Sequence, residues 1–299
     1  MRVVVTGGAG FIGKHLVAAL VARGDDVVVL DNLRRATREA VHPGAEFIEG
    51  DIRDPETVAR AFAGAARVFH LAAQSNVMGA LSDARYSFTT NVAGTFNVLE
   101  AATAAGVERV VFSSSREVYG EPGSVPVRED APLLAKNPYG ASKLAGEAYC
   151  RTWHHTGAIE VNILRFANVY GPGDTGRVIP LWLERAAAGL PLDVFGGEQV
   201  IDFVPVDMAV TALLAAAERD LDGPVNVGSG QGTTLLALAD RVRALYPGCP
   251  SVDIRPARSA EVVRFVADVG RMRAVLGIEP PDDPLAGLAE LAGKQANAA

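Results

Sequence analysis

Thr6-Gly7-Gly8-Ala9-Gly10-Phe11-Ile12-Gly13 is the stretch that decides the fold of this 299-residue chain. It follows the β-branched run Arg2–Val5 and opens a helical pattern over Phe11–Arg23. Glycines at 7, 10 and 13 permit a tight turn, the close approach of a diphosphate and close helix packing. The helix N-terminus adds unpaired N–H groups and a partial positive charge, with Phe11 and Ile12 lying along them. Asp31 follows the next expected strand, ahead of Asn32. A carboxylate there accepts the ribose hydroxyls of NAD and repels the 2′-phosphate of NADP. Arg34 and Arg35 keep a phosphate acceptor open as the alternative. Asp51-Ile52, after the third expected strand, suits an adenine by hydrogen bonding and apolar packing.

Outward from this loop, short β-branched runs alternate with amphipathic stretches. Strands are expected at Arg2–Thr6, Asp26–Leu30, Glu46–Glu49, Arg67–Leu71, Arg109–Ser113 and Glu160–Arg165. Helices are expected at Phe11–Arg23, Pro55–Ala63, Phe88–Ala105 and Tyr139–Trp153. Strands that lack in-out alternation and are separated by helices indicate a parallel sheet buried on both faces. Right-handed crossovers make it an α/β, doubly wound (Rossmann) sheet. After about residue 168 the rhythm changes, with glycine and proline breaks and helices expected at Pro180–Ala188, Met208–Glu218 and Thr234–Leu245. The expected division is therefore residues 1–168 for the dinucleotide and 169–299 for a smaller, partly interleaved substrate domain. The end, Gly293–Ala299, reads as a frayed tail.

Composition narrows the function. Hydrophobic residues make up 49%, ample for a large core, and the net charge of −7 argues against a general nucleic-acid partner. An anionic ligand therefore needs its positive charge supplied locally. Cys150 and Cys249 are too few for a disulfide framework or a cysteine metal site, and the five histidines, His154-His155 among them, show no ligand spacing. No apolar run approaches the roughly 18 residues of a membrane span, and the N-terminus reads directly into a strand, so a cytoplasmic location is expected.

Tyr139-Gly140-Ala141-Ser142-Lys143 places a phenol and an amine on one helix face, and Ser113-Ser114-Ser115 ends a strand upstream. A neighbouring ammonium and a positive nicotinamide both favour phenolate, which makes Tyr139 a base for an alcohol proton. At this point the chain resembles the extended short-chain dehydrogenase/reductases, in particular the NAD-dependent nucleotide-sugar epimerases and dehydratases. The carriers are TGGAGFIG at 6–13, GDIRD at 50–54, HLAAQ at 70–74, NVAGTFNVLEA at 91–101, SSSREVYG at 113–120, YGASK at 139–143 and LRFANVYGPG at 164–173. The resemblance implies a triad of Ser115, Tyr139 and Lys143. It also implies that Leu71, Ala72, Ala73, Gln74, Asn91 and Ser113 accompany the cofactor, and that Asn168 and Val178 face a nucleotide sugar.

Glu117 separates the reactions. By resemblance, simple 4-epimerases carry small or neutral residues there, whereas 4,6-dehydratases have Asp-Glu where this chain has Arg116-Glu117. Elimination needs a base at C5, acidified by a transient C4 ketone, and Glu117 beside the triad suits that task. Arg116 departs from the pattern because it stays protonated and supplies no proton, which brings a 5,6-type elimination into view. Ile201 stands where the family commonly has a phosphate-binding arginine, so diphosphate binding is expected to rest on Arg258 and Arg177. The sequence expectation is an NAD-dependent nucleotide-hexose dehydratase, with 4-epimerase as the alternative. A homodimer is expected through Asn91–Ala105 and Tyr139–Trp153.

Overall fold

The computed structural model describes residues 1–248 and 251–296; Cys249 and the last residues of the expected tail lie outside them. Seven parallel strands form the central sheet: β1 (Arg2–Thr6), β2 (Asp26–Asp31), β3 (Glu46–Glu49), β4 (Arg67–His70), β5 (Arg109–Ser115), β6 (Glu160–Phe166) and β10 (Val225–Val227). Their spatial order is β10-β6-β5-β4-β1-β2-β3. Strand β1 has β4 on one side and β2 on the other, with Thr6 level with His70 and Leu30. That reversal of strand order is where open α/β sheets bind ligands, beyond the carboxyl ends of the strands.

Both sheet faces are buried, as the uninterrupted apolar strands require. Val3 and Val5 face one core with Leu16, Val17 and Leu20 of α1 (Phe11–Ala22) and Ala209, Leu213 and Ala216 of α8 (Val206–Ala217). Val4 faces the other, with Val58 and Phe62 of α2 (Pro55–Phe62) and Val98 and Leu99 of α5 (Gly94–Ala104). Truncating one of these leucines to alanine costs about 2–5 kcal/mol.

The single helix expected over Phe88–Ala105 is divided. After α3 (Val77–Ser82) come α4 (Ala84–Phe88), a π-helical turn over Thr89–Ala93, and α5. The extra residue of a π turn re-aims a side chain; here Asn91 is turned inward, buried, onto the backbone of Gln74. Helix α6 (Pro138–His155) begins one residue earlier than expected, because Asn137 caps it and Pro138 takes the first turn.

Beyond β6 the strands are short. β7 (Asn168–Tyr170), β9 (Val200–Pro205) and β11 (Gly232–Thr234) form one small sheet, and β8 (Leu192–Phe195) pairs with β12 (Val252–Arg255). They pack with α7 (Val178–Ala187), α9 (Leu235–Leu245) and α11 (Leu288–Ala296) around Tyr170, Trp182, Phe203 and Leu238, while α10 (Gly270–Leu276) packs against β10. Strand β10 and helix α8 return to the large sheet from beyond residue 168. The expected frayed tail is helical through Ala296: Leu288 and Ala292 are buried, and Lys294 pairs with Glu290 one turn back. Among the described residues no helix is long and apolar enough to cross a membrane.

Candidate active site

The carboxyl ends of β1, β2, β4 and β5 open into a cleft of about 1050 Å³, faced across its mouth by β7, α7, β8 and the segment carrying Arg258. At one end the glycine loop turns at Gly7, whose φ of +72° brings its backbone against Ala72. A Cβ on Gly13 would collide with the Gly7 carbonyl, so α1 packs tightly on the turn. On Gly10 it would meet only Gly7 O, at 3.1 Å, and the backbone there lies open to the cleft.

Asp31 accepts N–H groups of Ala9 (3.1 Å) and Leu33 (2.9 Å). Burial nevertheless pushes its carboxyl above the ordinary range. Asn32 donates to Asp51 at 2.9 Å, and burial of Asp51 is outweighed by bonds from Arg53 and Asn32, which hold its carboxyl at about 2. Ile52 forms an apolar ledge held against Gly94. Arg34 lies 4.1 Å over the Tyr86 ring and Arg35 donates to Ser75, so both are engaged away from the Asp31 carboxylate.

Leu71, Ala72, Ala73 and Gln74 line the adjoining wall. Behind it, Thr95 donates its hydroxyl to Asn91 O and so accepts from His70 Nε2 at 3.0 Å. His70 Nδ1 is then the acceptor for Thr6 Oγ1 at 2.7 Å, and Thr6 in turn accepts the Ala72 N–H. Burial pushes this imidazole down to about 3. Asn91 does not reach the cleft: its amide grips Gln74 N and O at 2.7 and 3.0 Å. Gln74 Oε1 and Thr90 Oγ1 are buried on the lining with no partner. An open glycine backbone, a helix N-terminus, the Asp31 carboxylate and an unpaired acceptor fit a bound dinucleotide.

At the other end, Ser115 closes β5 and caps the 3-10 turn Arg116–Tyr119 by accepting the Glu117 N–H. Tyr139 and Lys143 share a face of α6, with Ser113 opposite: Lys143 Nζ donates to Ser113 O at 2.8 Å and lies 4.9 Å over Phe112. Burial lowers this amine to about 8. The expected depression of Tyr139 is not provided by the protein alone. Burial raises it, and that outweighs the help of the Ser115 hydroxyl and of the Arg177 and Arg116 charges. One turn past Lys143, Glu147 is fully buried, accepting from Ser114 (2.6 Å) and twice from Arg165 (2.9 and 2.7 Å). This pair ties β5, β6 and α6 together; breaking such a buried pair costs about 3–5 kcal/mol.

Glu117 is buried, with both oxygens committed: Oε1 lies 3.0 Å from the Arg116 guanidinium, and Oε2 accepts from Asn137 at 2.7 Å. Arg116 Nε donates to Asn168 Oδ1 at 2.6 Å, so the three expected residues form one linked chain. Arg258 stacks 3.8 Å over Phe195 and pairs with Glu261. Arg177 precedes Val178 at the start of α7 and pairs with Asp174 at 2.8 Å. Every expected site residue except Asn91 lines this cleft. Sequence reasoning missed Asn137 and Asp174. Asn137-Pro138 carries the signal of a helix start, whereas nothing in the sequence marks Asp174.

A seven-stranded doubly wound sheet with this loop and this serine–tyrosine–lysine cluster defines a nucleotide-binding enzyme of the short-chain dehydrogenase/reductase type. The chain belongs to the NAD dependent epimerase/dehydratase family, whose profile matches residues 3–228. It is 36% identical over 294 residues to the UDP-glucose 4-epimerase of Mycolicibacterium smegmatis, covering 94% of each chain. Among solved structures it is similar to the Thermotoga maritima UDP-glucose 4-epimerase with UDP-glucose (TM-score 0.95, 33% identity, 100% of this chain and 99% of that one). It is also similar to the Thermus thermophilus UDP-glucose 4-epimerase complex with NAD (TM-score 0.93, 36% identity, 100% of both).

Proposed function

We propose that this enzyme is a nucleotide-sugar 4-epimerase acting on a UDP-hexose, rather than the dehydratase that Glu117 suggests in the sequence. The observation that carries this reading is the commitment of both Glu117 oxygens to Arg116 and Asn137. Taking the C5 proton would neutralise this carboxylate and forfeit its ion pair with Arg116. The similarity to UDP-glucose 4-epimerases over nearly the whole chain supports the same choice.

In this reading Tyr139 takes the proton of the sugar O4, Ser115 hydrogen-bonds that oxygen, and Lys143 supplies the positive charge that steadies the phenolate. NAD, when bound, would supply the hydride acceptor and donor for C4, and its positive ring would work against the burial that raises Tyr139. The keto sugar turns over between the two transfers, which needs room and no additional base. Gly7, Gly10, Asp31 and Ile52 hold the dinucleotide. Arg258 takes the substrate diphosphate in place of the arginine replaced by Ile201, and Asn168 donates its amide to the nucleotide sugar. Its orientation is set by Arg116, which occupies its carbonyl oxygen.

Incubation with a panel of nucleotide sugars followed by mass spectrometry tests the reading. Unchanged mass with inverted C4 stereochemistry supports it, whereas loss of one water returns the assignment to a dehydratase. We further propose a homodimer in which α5 and α6 pack on their copies. Phe96, Tyr149 and Trp153, in mutual edge contact at 5.5–6.3 Å, cluster across these helices, with Tyr149 exposed. A monomer mass by light scattering at micromolar concentration excludes that assembly.

A further inference from the structure

The loop between β7 and α7 carries a group that the reaction above does not use. Asp174 is only 8% exposed. Its Oδ1 accepts from Arg177, while its Oδ2 is buried on the cleft lining with no partner. Burial pushes this carboxyl above its ordinary range, against the pull of Arg177 and of the more distant Arg35.

The same loop is fastened to the helix that cradles the diphosphate. Lys14 Nζ donates to Gly173 O at 3.3 Å, and His15 Nε2 donates to Pro172 O at 2.9 Å. The Arg177 guanidinium lies 5.4 Å over the Phe11 ring, at the first turn of α1. Gly173 adopts φ +76°, and any side chain there would collide with Lys14. Arg177 therefore stands at the N-terminus of α1, where an anion is favoured. On the opposite lip Arg35 donates to Ser75 Oγ at 3.1 Å, and its charge already favours the Asp174 carboxylate. Lys14, Arg35 and Arg177 against one Asp174 leave this rim positive in a chain of net charge −7.

We propose that Gly171–Arg177 is the outer wall of the cofactor's diphosphate site, and that Asp174 bolts it shut, its Oδ2 accepting from Arg35 across the bound diphosphate. This moves Arg177 from the substrate contacts expected in the sequence to the cofactor. The amides of α1 face the diphosphate from below, Arg177 and Arg35 face it from above, and Asp174 keeps the two guanidinium groups from repelling one another. A reaction that removes a hydride and returns it needs one nucleotide to stay through both transfers, and a latched wall slows its departure. The assignment holds for epimerisation and elimination alike, so it stands or falls separately from the reaction proposed above.

The test is the release of NADH from the loaded protein, followed by loss of nicotinamide fluorescence on mixing with excess NAD. Asp174→Asn and Arg35→Ala are each expected to speed release by about 10-fold, the scale of one charge-assisted bond. The double variant is expected to release no faster than the faster single one, because both remove the same contact. AMP, which lacks the bridging diphosphate, is expected to bind Asp174→Asn as it binds the parent. Release unchanged within about twofold in both single variants overturns the proposal. So do effects that multiply in the double variant, or AMP weakened as much as NADH.

Discussion

At the cofactor end of the cleft the groups facing the ligand are largely backbone: the Gly7 turn, the open Gly10 peptide, the first amides of α1 and the Leu71–Gln74 wall gripped from behind by Asn91. At the sugar end they are side chains, Arg116, Glu117, Asn168 and Arg258, each held by another side chain. A backbone site demands particular glycines at particular spacings and tolerates little change. A side-chain site is specified by pairings that any of several residues satisfy, and it drifts between relatives with different substrates.

The largest effect is expected where the two ends meet. Tyr139→Phe should lower turnover by about 10²–10⁴-fold, the usual contribution of a positioned acid–base group. Calorimetric NAD affinity should hold, and loss of both together breaks the division between the two ends. Next come the glycines. Gly10→Val should weaken NAD by about 100-fold or more with only a small change in melting temperature, since its Cβ meets the protein only at the Gly7 carbonyl, at 3.1 Å, and the rest of the side chain fills the cleft. Gly13→Ala should instead lower the melting temperature, because its Cβ strikes the Gly7 carbonyl. Equal melting losses in the two variants would remove the distinction between ligand space and packing.

A smaller effect is written into His70, behind the cofactor wall. Its imidazole is held at about 3 against an ordinary 6.5, so between these values the unfolded chain takes up a proton that the native state refuses. Stability should therefore fall as pH is lowered from 6.5 towards 3, by up to about 1.4 kcal/mol per unit. Urea unfolding at pH 6.5 and 5 reads this slope, and His70→Gln should flatten it. An unchanged slope in the variant means that other groups carry it. The smallest effect is expected from Glu117→Gln, whose turnover should stay within about tenfold of the parent if the residue only holds Arg116 and Asn137. Accumulated NADH and a keto sugar in that variant would restore Glu117 as a base.

What could be read from the sequence follows the same division. The strands from Arg2 to Phe166 and the glycine loop were legible because buried parallel strands are uniformly apolar and the turn admits only glycine. The strands of the second half were not, since three or four residues such as Gly232–Thr234 carry no period of their own. Glu117 was legible as a residue, but its partners were not. Asn137, 20 positions away, is brought within 2.7 Å of it only by the fold. The lowering expected at Tyr139 calls on the nicotinamide as well as Lys143; in the protein alone burial outweighs Ser115, Arg177 and Arg116, and burial is not visible in a helix-face pattern.

Strand β10 lies at one edge of the large sheet, paired with β6, yet in the chain it comes after the small sheet strands β7 and β9. The polypeptide therefore leaves the nucleotide-binding sheet, builds part of the opposite wall, comes back to finish the sheet, and departs again. No single cut separates the two walls. Grafting the sugar end of a relative onto this chain has to exchange discontinuous segments, with the β10 crossing left in place. Recombination at one junction would strand that edge of the sheet, so changes in sugar preference are more readily reached by point substitution along the cleft than by shuffling whole modules.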